Sequence, residues 1–189
     1  MGYRSIDVDQ GDEIPHPDHG TWLRAAQVPG GFEDGAEGNP RMYKRILIAT
    51  DGSALAKKAE MQGLALAKEV KAEVIAVTIT ETWSALDMSA QAGRGATHPV
   101  EDYEKHAAAV AEKILSSVSA IAKENLVASE TLHVKDQHPA DGIVETAKAK
   151  GCDLIVMASH GRRGLQKALL GSQANKVLVL SPIPVLICK

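Results

Sequence analysis

Gly161 and Gly171, with nine residues between them, and the Ser172 that follows are the residues whose types and spacing speak most directly of chemistry. They come after the apolar run Asp153-Leu154-Ile155-Val156-Met157-Ala158, so the order reads as a buried strand, a glycine-bearing loop and a helix beginning near Ser172. Glycine lets a backbone approach a ligand closely or take a positive φ, and the unpaired N–H groups at a helix start favour an anion. Ser172 adds a hydroxyl that can donate to a phosphate and cap the helix. The combination suits the phosphate tail of a nucleotide. Arg162, Arg163 and Lys167 put three cations on the same loop, either to screen that charge or to be solvated, and Gly164 reads as a turn residue. Ser159 and His160 accompany the motif. No carboxylate partner for His160 stands out in the sequence, so it reads as a loop-positioning residue before a general base.

The elements that must position this loop follow from apolar periodicity. Ile46 to Thr50 reads as a strand, then come Asp51-Gly52, Ser53 as an N-cap, and a helix in which Ala56, Ala59, Gly63, Leu66 and Val70 recur at three- and four-residue spacing. Val74 to Ile79 is a second strand after a turn at Lys71-Ala72-Glu73, and Glu81 to Pro99 is the longest internal loop. Tyr103, Ala107, Val110, Ile114, Val118 and Ile121 mark a long helix, and Thr131 to Val134 a short strand. Pro139 opens a helix over Ala140 to Lys150 that Gly151 stops. Continuous apolar strands separated by helices predict an α/β fold, a parallel sheet covered on both faces.

The 189 residues suit one globular domain, over residues 42–189, behind an N-terminal extension. Residues 1–41 hold four of the eight prolines, seven of the sixteen glycines and eight acids against three arginines. With little apolar surface to offset chain entropy, they are expected to be flexible. The Met42-Tyr43-Lys44-Arg45-Ile46 start leaves two readings of this extension, a non-native leader or a tethering arm anchored by Trp22-Leu23. The net charge of −3 and the scarcity of aromatics argue against nucleic acid as a partner. Cys152 and Cys188 lack metal-ligand or CxxC spacing and are expected to be buried free thiols. The sequence shows neither a long apolar run nor a signal peptide, which predicts no membrane span and a cytoplasmic protein. It has no Gly-x4-Gly-Lys-(Ser/Thr), no Gly-x-Gly-x2-Gly after the first strand and no Gly-x-Ser-x-Gly. A P-loop ATPase, a dinucleotide dehydrogenase and a serine hydrolase therefore all fit poorly.

The segment from Ala158-Ser159-His160-Gly161 to Gly171-Ser172 resembles the ATP-binding signature of the universal stress protein family, Gly-x2-Gly-x9-Gly-(Ser/Thr), with Ala158 at the first glycine position. Tyr43 to Ser53 resembles the family's opening strand and Asp-bearing turn, and Pro182 to Ile187 its closing strand. The resemblance implies a doubly wound five-stranded sheet in the order 3-2-1-4-5. Ligands in such sheets bind at the carboxyl ends of the strands where the order reverses, so the Asp51 turn and the loop from Ala158 would face each other. The resemblance also implies that ATP binds, with Mg²⁺ held mainly by phosphate oxygens and water, at Ala49, Asp51, Ile79, Met157, Ala158, Gly161, Arg162, Gly171, Ser172 and Gln173. Asp51 would lie against the sugar, whose hydroxyls a carboxylate can accept, or it caps a helix in an Asp-Gly turn. The backbone of Ile79 would read adenine, Ala49 would leave room for the base, and the Ala158 methyl would narrow the space beside sugar and phosphates.

The activity implied is that of a nucleotide-dependent stress-response regulator acting on an unidentified protein partner. A homodimer would form around the last strand, with Val185, Leu186 and Ile187 pairing with a second copy. Two alternatives stand beside it: a weak ATPase or an enzyme that phosphorylates itself, at Ser172 or a nearby serine, and a nucleotide-independent dimeric scaffold in which Ala158 has closed the pocket.

Overall fold

The computed structural model of the chain describes residues 42–81, 98–161 and 170–189. Among them the elements alternate as β1 (Arg45–Ala49), α1 (Ala54–Val70), β2 (Glu73–Thr80), α2 (Pro99–Glu124), β3 (Ser129–Lys135), α3 (Pro139–Ala149), β4 (Leu154–Ala158), α4 (Ser172–Leu180) and β5 (Val185–Cys188). The expectations for the N-terminal extension, for residues 82–97 and for Arg162, Arg163, Gly164 and Lys167 lie outside the described residues.

All five strands are parallel, in the order β3-β2-β1-β4-β5, which is the expected doubly wound arrangement. Successive strand residues face opposite sides, and both sides are covered. Ile46, Ile48, Val74, Ala76, Leu154 and Val156 pack with Leu64, Leu115 and Val118 of α1 and α2. On the other face Leu47, Ile75, Val77, Ile155 and Met157 pack with Ile143, Val144 and Val177 of α3 and α4. Burial on both faces is why the inner strands β1, β2 and β4 read as apolar runs, while the edge strand β3 is polar and largely exposed.

Ser53 caps α1 as expected, its Oγ accepting the Ala56 N–H at 3.2 Å. The α1 face toward the sheet is built of small residues, and a methyl on Gly63 would lie 2.8 Å from Ile48 Cδ1. Lys71 ends the helix in the left-handed region, its N–H reaching the Ala67 and Lys68 carbonyls. Proline opens both α2 and α3, and Gly151, at φ 63°, follows α3 as its stop.

Two boundaries and one buried face differ from the sequence expectation. β3 is longer than Thr131 to Val134 because its ladder with β2 runs from Ser129 to Lys135. The last strand begins at Val185 and not at Pro182, since Pro182 and Pro184 have no N–H to give a ladder. On α2 the fully buried residues are Ala111, Leu115, Val118 and Ala122, while Val110, Ile114 and Ile121 are only half-buried. Among the described residues no helix is long and apolar enough to cross a membrane.

Candidate functional site

β1 pairs with β2 on one side and β4 on the other, so the connections leaving β1 and β4 diverge to opposite faces of the sheet. A cavity of about 580 Å³ opens at this point, within the ordinary range for small-molecule sites. Its walls are the carboxyl ends of β1, β2 and β4, the turn at Asp51, the first half of α2 and the starts of α3 and α4.

The Asp51 turn is hydrogen-bonded on both sides. Asp51 Oδ1 accepts the Ser53 N–H at 3.0 Å, and Thr50 Oγ1 accepts the Gly52 N–H at 3.0 Å. Gly52 takes φ 74°, a conformation that glycine supplies without a side-chain penalty. The cap of α1 is Ser53 and not Asp51, which braces the turn before the helix through the Ser53 N–H and also lines the cavity.

Gly161 lies across from it. A methyl there would come 2.9 Å from Asp51 Oδ2. At Gly171 an added methyl would meet the Ser159 carbonyl oxygen at 2.9 Å and His160 Cα at 3.3 Å, while the Gly171 N–H donates to that same carbonyl at 2.8 Å. Close approach of backbone therefore demands glycine at Gly171, whereas at Gly161 the atom in the way is the end of the Asp51 side chain. Neither has a positive φ, and Gly171 sits at φ −71°, contrary to one part of the sequence reasoning.

Ser172 is the first helical residue of α4 and does not cap it. The N-cap is Gly171, with no side-chain cap, because the helix begins one residue earlier than a serine cap requires. Ser172 is exposed at the cavity wall. Gln173 also lines the cavity, and its Oε1 accepts the Ala140 N–H at 3.2 Å, which ties the starts of α3 and α4 together.

Ala49, Ile79 and Met157 share the sheet face that packs on α3 and α4 and form one apolar wall. Ala49 is the last β1 residue and registers with Val77 and Met157. Ala158 ends β4, and its methyl belongs to the core cluster on the α1 face, at 8% exposure. The residue also lines the cavity. Arg162 lies outside the described residues.

Sequence reasoning missed Thr50, Tyr103 and His106 as cavity residues. Tyr103 donates its hydroxyl to the Glu81 carbonyl at 3.2 Å, joining α2 to the end of β2. Its place in a helical stripe pointed to packing, and only its being one of three aromatics after residue 41 set it apart. His133 is half-buried in β3, with Nε2 2.8 Å from Thr80 Oγ1. Burial, reinforced by Lys135, lowers its pKa. His160 Nδ1 lies 3.2 Å from Ser159 Oγ, and its ring packs beside Gly171.

Known proteins agree with this architecture. The model of the universal stress protein family matches residues 42–189. The universal stress protein MJ0531 of Methanocaldococcus jannaschii is 35% identical over 148 residues, 78% of this chain and 83% of that one. The structure of MJ0577, from the same organism, superposes with a TM-score of 0.62 at 28% identity, covering 78% of this chain and 96% of that one. A universal stress protein solved in complex with cAMP gives a TM-score of 0.52 at 24% identity, covering 77% and 95%. By the family match and by its relatives, the chain belongs to the universal stress protein family.

Proposed function

We propose that the chain binds ATP in this cavity and works as a nucleotide-dependent regulator of the stress response. The observation that carries the reading is the meeting of Asp51 and Gly161 across the switch point, with the uncapped start of α4 alongside. Unpaired N–H groups at a helix start, beside glycines with no side chain in the way, suit phosphate. The apolar wall of Ala49, Ile79 and Met157 suits a base, and Asp51 suits sugar hydroxyls. The same fold holds an adenine nucleotide in the cAMP complex, which supports the choice of base.

Among the described residues no three His, Cys, Asp or Glu side chains gather to hold a metal, so Mg²⁺ would travel on the triphosphate. Binding energy spent on holding the nucleotide shifts the surface offered to a protein partner in the cytoplasm. A homodimer through β5 completes the proposal. Leu186 of this edge strand and Leu178, Val179 and Leu180 of the adjacent helix are exposed apolar side chains.

The test is to identify the nucleotide released on heat denaturation of fresh protein, then titrate ATP and AMP, with Mg²⁺, into emptied protein. Stoichiometric ATP, or saturable ATP binding, is the expected result. A protein that ignores both nucleotides would leave the dimeric scaffold as the working function.

A further inference from the structure

Glu60 is an acid in an apolar layer. It lies on the sheet-facing side of α1, four residues from Ala56 and four from Leu64, and is 2% exposed. Burying such a group is unfavourable unless its oxygens are hydrogen-bonded, and a leucine would pack in the same layer without that requirement. The Thr50 hydroxyl answers the requirement by donating to Glu60 Oε1.

That bond has a consequence one step further along. A hydroxyl owns a single proton. With it spent on Glu60, Thr50 Oγ1 faces the turn as an acceptor and receives the Gly52 N–H at 3.0 Å. The next peptide places Ser53 N–H on Asp51 Oδ1, and the other carboxyl oxygen, Oδ2, lies against Gly161. Thr50 is itself 7% exposed and its N–H is bonded to the Val77 carbonyl at 2.9 Å, so the base of the turn is held by the sheet.

We propose that Glu60 is the positioning residue of the Asp51 turn, acting through the Thr50 hydroxyl to hold the Asp51 carboxyl group where the sugar hydroxyls of a nucleotide reach it. Glu60 does not line the cavity. Its effect on a nucleotide rests on the ATP-binding function proposed above; its effect on the turn does not.

Glu60→Leu and Glu60→Gln in the full chain separate these two parts. The first readout needs no nucleotide: amide hydrogen exchange at Gly52, compared with Leu47 in the sheet. Glu60→Leu should speed exchange at Gly52 by about tenfold or more with Leu47 unchanged, and Glu60→Gln, whose amide oxygen accepts the same bond, should restore protection. Glu60→Met, which leaves the Thr50 hydroxyl in place, should reproduce the leucine result and carries the test if Glu60→Leu does not fold. The second readout is the affinity for ATP against 2′,3′-dideoxy-ATP. Glu60→Leu should weaken ATP about tenfold and leave the dideoxy nucleotide unchanged, which a general loss of packing would not do. Unchanged exchange at Gly52 overturns the proposal. Faster exchange with an unchanged ratio of the two affinities overturns its link to the sugar. A wild-type protein that binds neither nucleotide overturns the ATP reading and the sugar link with it, while Gly52 exchange still decides whether Glu60 holds the turn.

Discussion

A methyl group on Gly161 would lie 2.9 Å from Asp51 Oδ2, closer than a Cβ normally comes to any atom. The atom in the way is the end of a side chain, so the carboxyl group would swing aside and the backbone would stay. Gly161→Ala should therefore lower ATP affinity about tenfold while changing stability by less than about 0.5 kcal/mol. Calorimetric titration checks the first and urea denaturation the second. Adding Asp51→Ala to this variant should cost little more, because the two changes remove the same contact.

Gly171 meets backbone instead. Its added methyl would press on the Ser159 carbonyl and His160 Cα, and Ser159 is already pinned by its N–H to the Cys188 carbonyl at 2.8 Å. Neither can yield cheaply, so Gly171→Val should cost about 1–3 kcal/mol of stability as well as ATP affinity. Urea denaturation of Gly171→Val beside Gly171→Ala measures this, with the alanine variant expected to lose less. A valine variant as stable as the wild type would mean that the α4 start relaxes freely.

Leu186 is 40% exposed on β5, the last strand of the sheet, and Val179 on the preceding helix is 77% exposed. If the chain forms the proposed β5 homodimer, Leu186→Glu should make it a monomer without unfolding it, as read by sedimentation. Removing the chain after Ser181 is a poorer test, because β5 also pairs with β4 and buries Cys188. A dimer that survives Leu186→Glu would place the interface elsewhere.

The sheet was legible because strands buried on both faces must be apolar throughout, and Leu154 to Ala158 could scarcely be anything else. The loop after β4 was legible in part because Gly171 is required by contact with the Ser159 backbone, while Gly161 faces only the end of the Asp51 side chain. What escaped were contacts made through the third dimension. Nothing in the spacing of Ser172 and Gln173 says that Gly171 takes the cap position or that Gln173 braces the start of α3. Tyr103 looked like packing until α2 was laid against the end of β2. Glu60 lies off the stripe read from the sequence, and only its burial in α1 beside Thr50 set it apart.

Cys152 is a buried free thiol, as its apolar setting suggested. Burial is the main cause pushing its pKa up to about 11, with Arg45 opposing. Relative to an ordinary value of 9.0, that leaves about a hundredfold less thiolate near pH 8. Iodoacetamide should label Cys152 in the folded protein at least a hundredfold more slowly than in urea, followed by mass spectrometry of the peptide. Rapid labelling under native conditions would show that this end of β4 opens readily.

Acid sensitivity should be written partly into His133. Burial, then Lys135, lowers its pKa in the folded chain, whereas the unfolded chain takes up its proton near the ordinary value of 6.5. Below about pH 6.5 the unfolded state binds the proton first, so stability falls as the pH drops, until the folded imidazole also protonates and the slope ends. Above that pH both states are neutral and His133 adds no pH dependence. His133→Gln keeps a polar group toward Thr80 and cannot titrate, so its melting temperature should fall less steeply than that of the wild type on going below pH 6.5. Parallel curves for the two proteins would move the acid-labile group away from the β2–β3 pair.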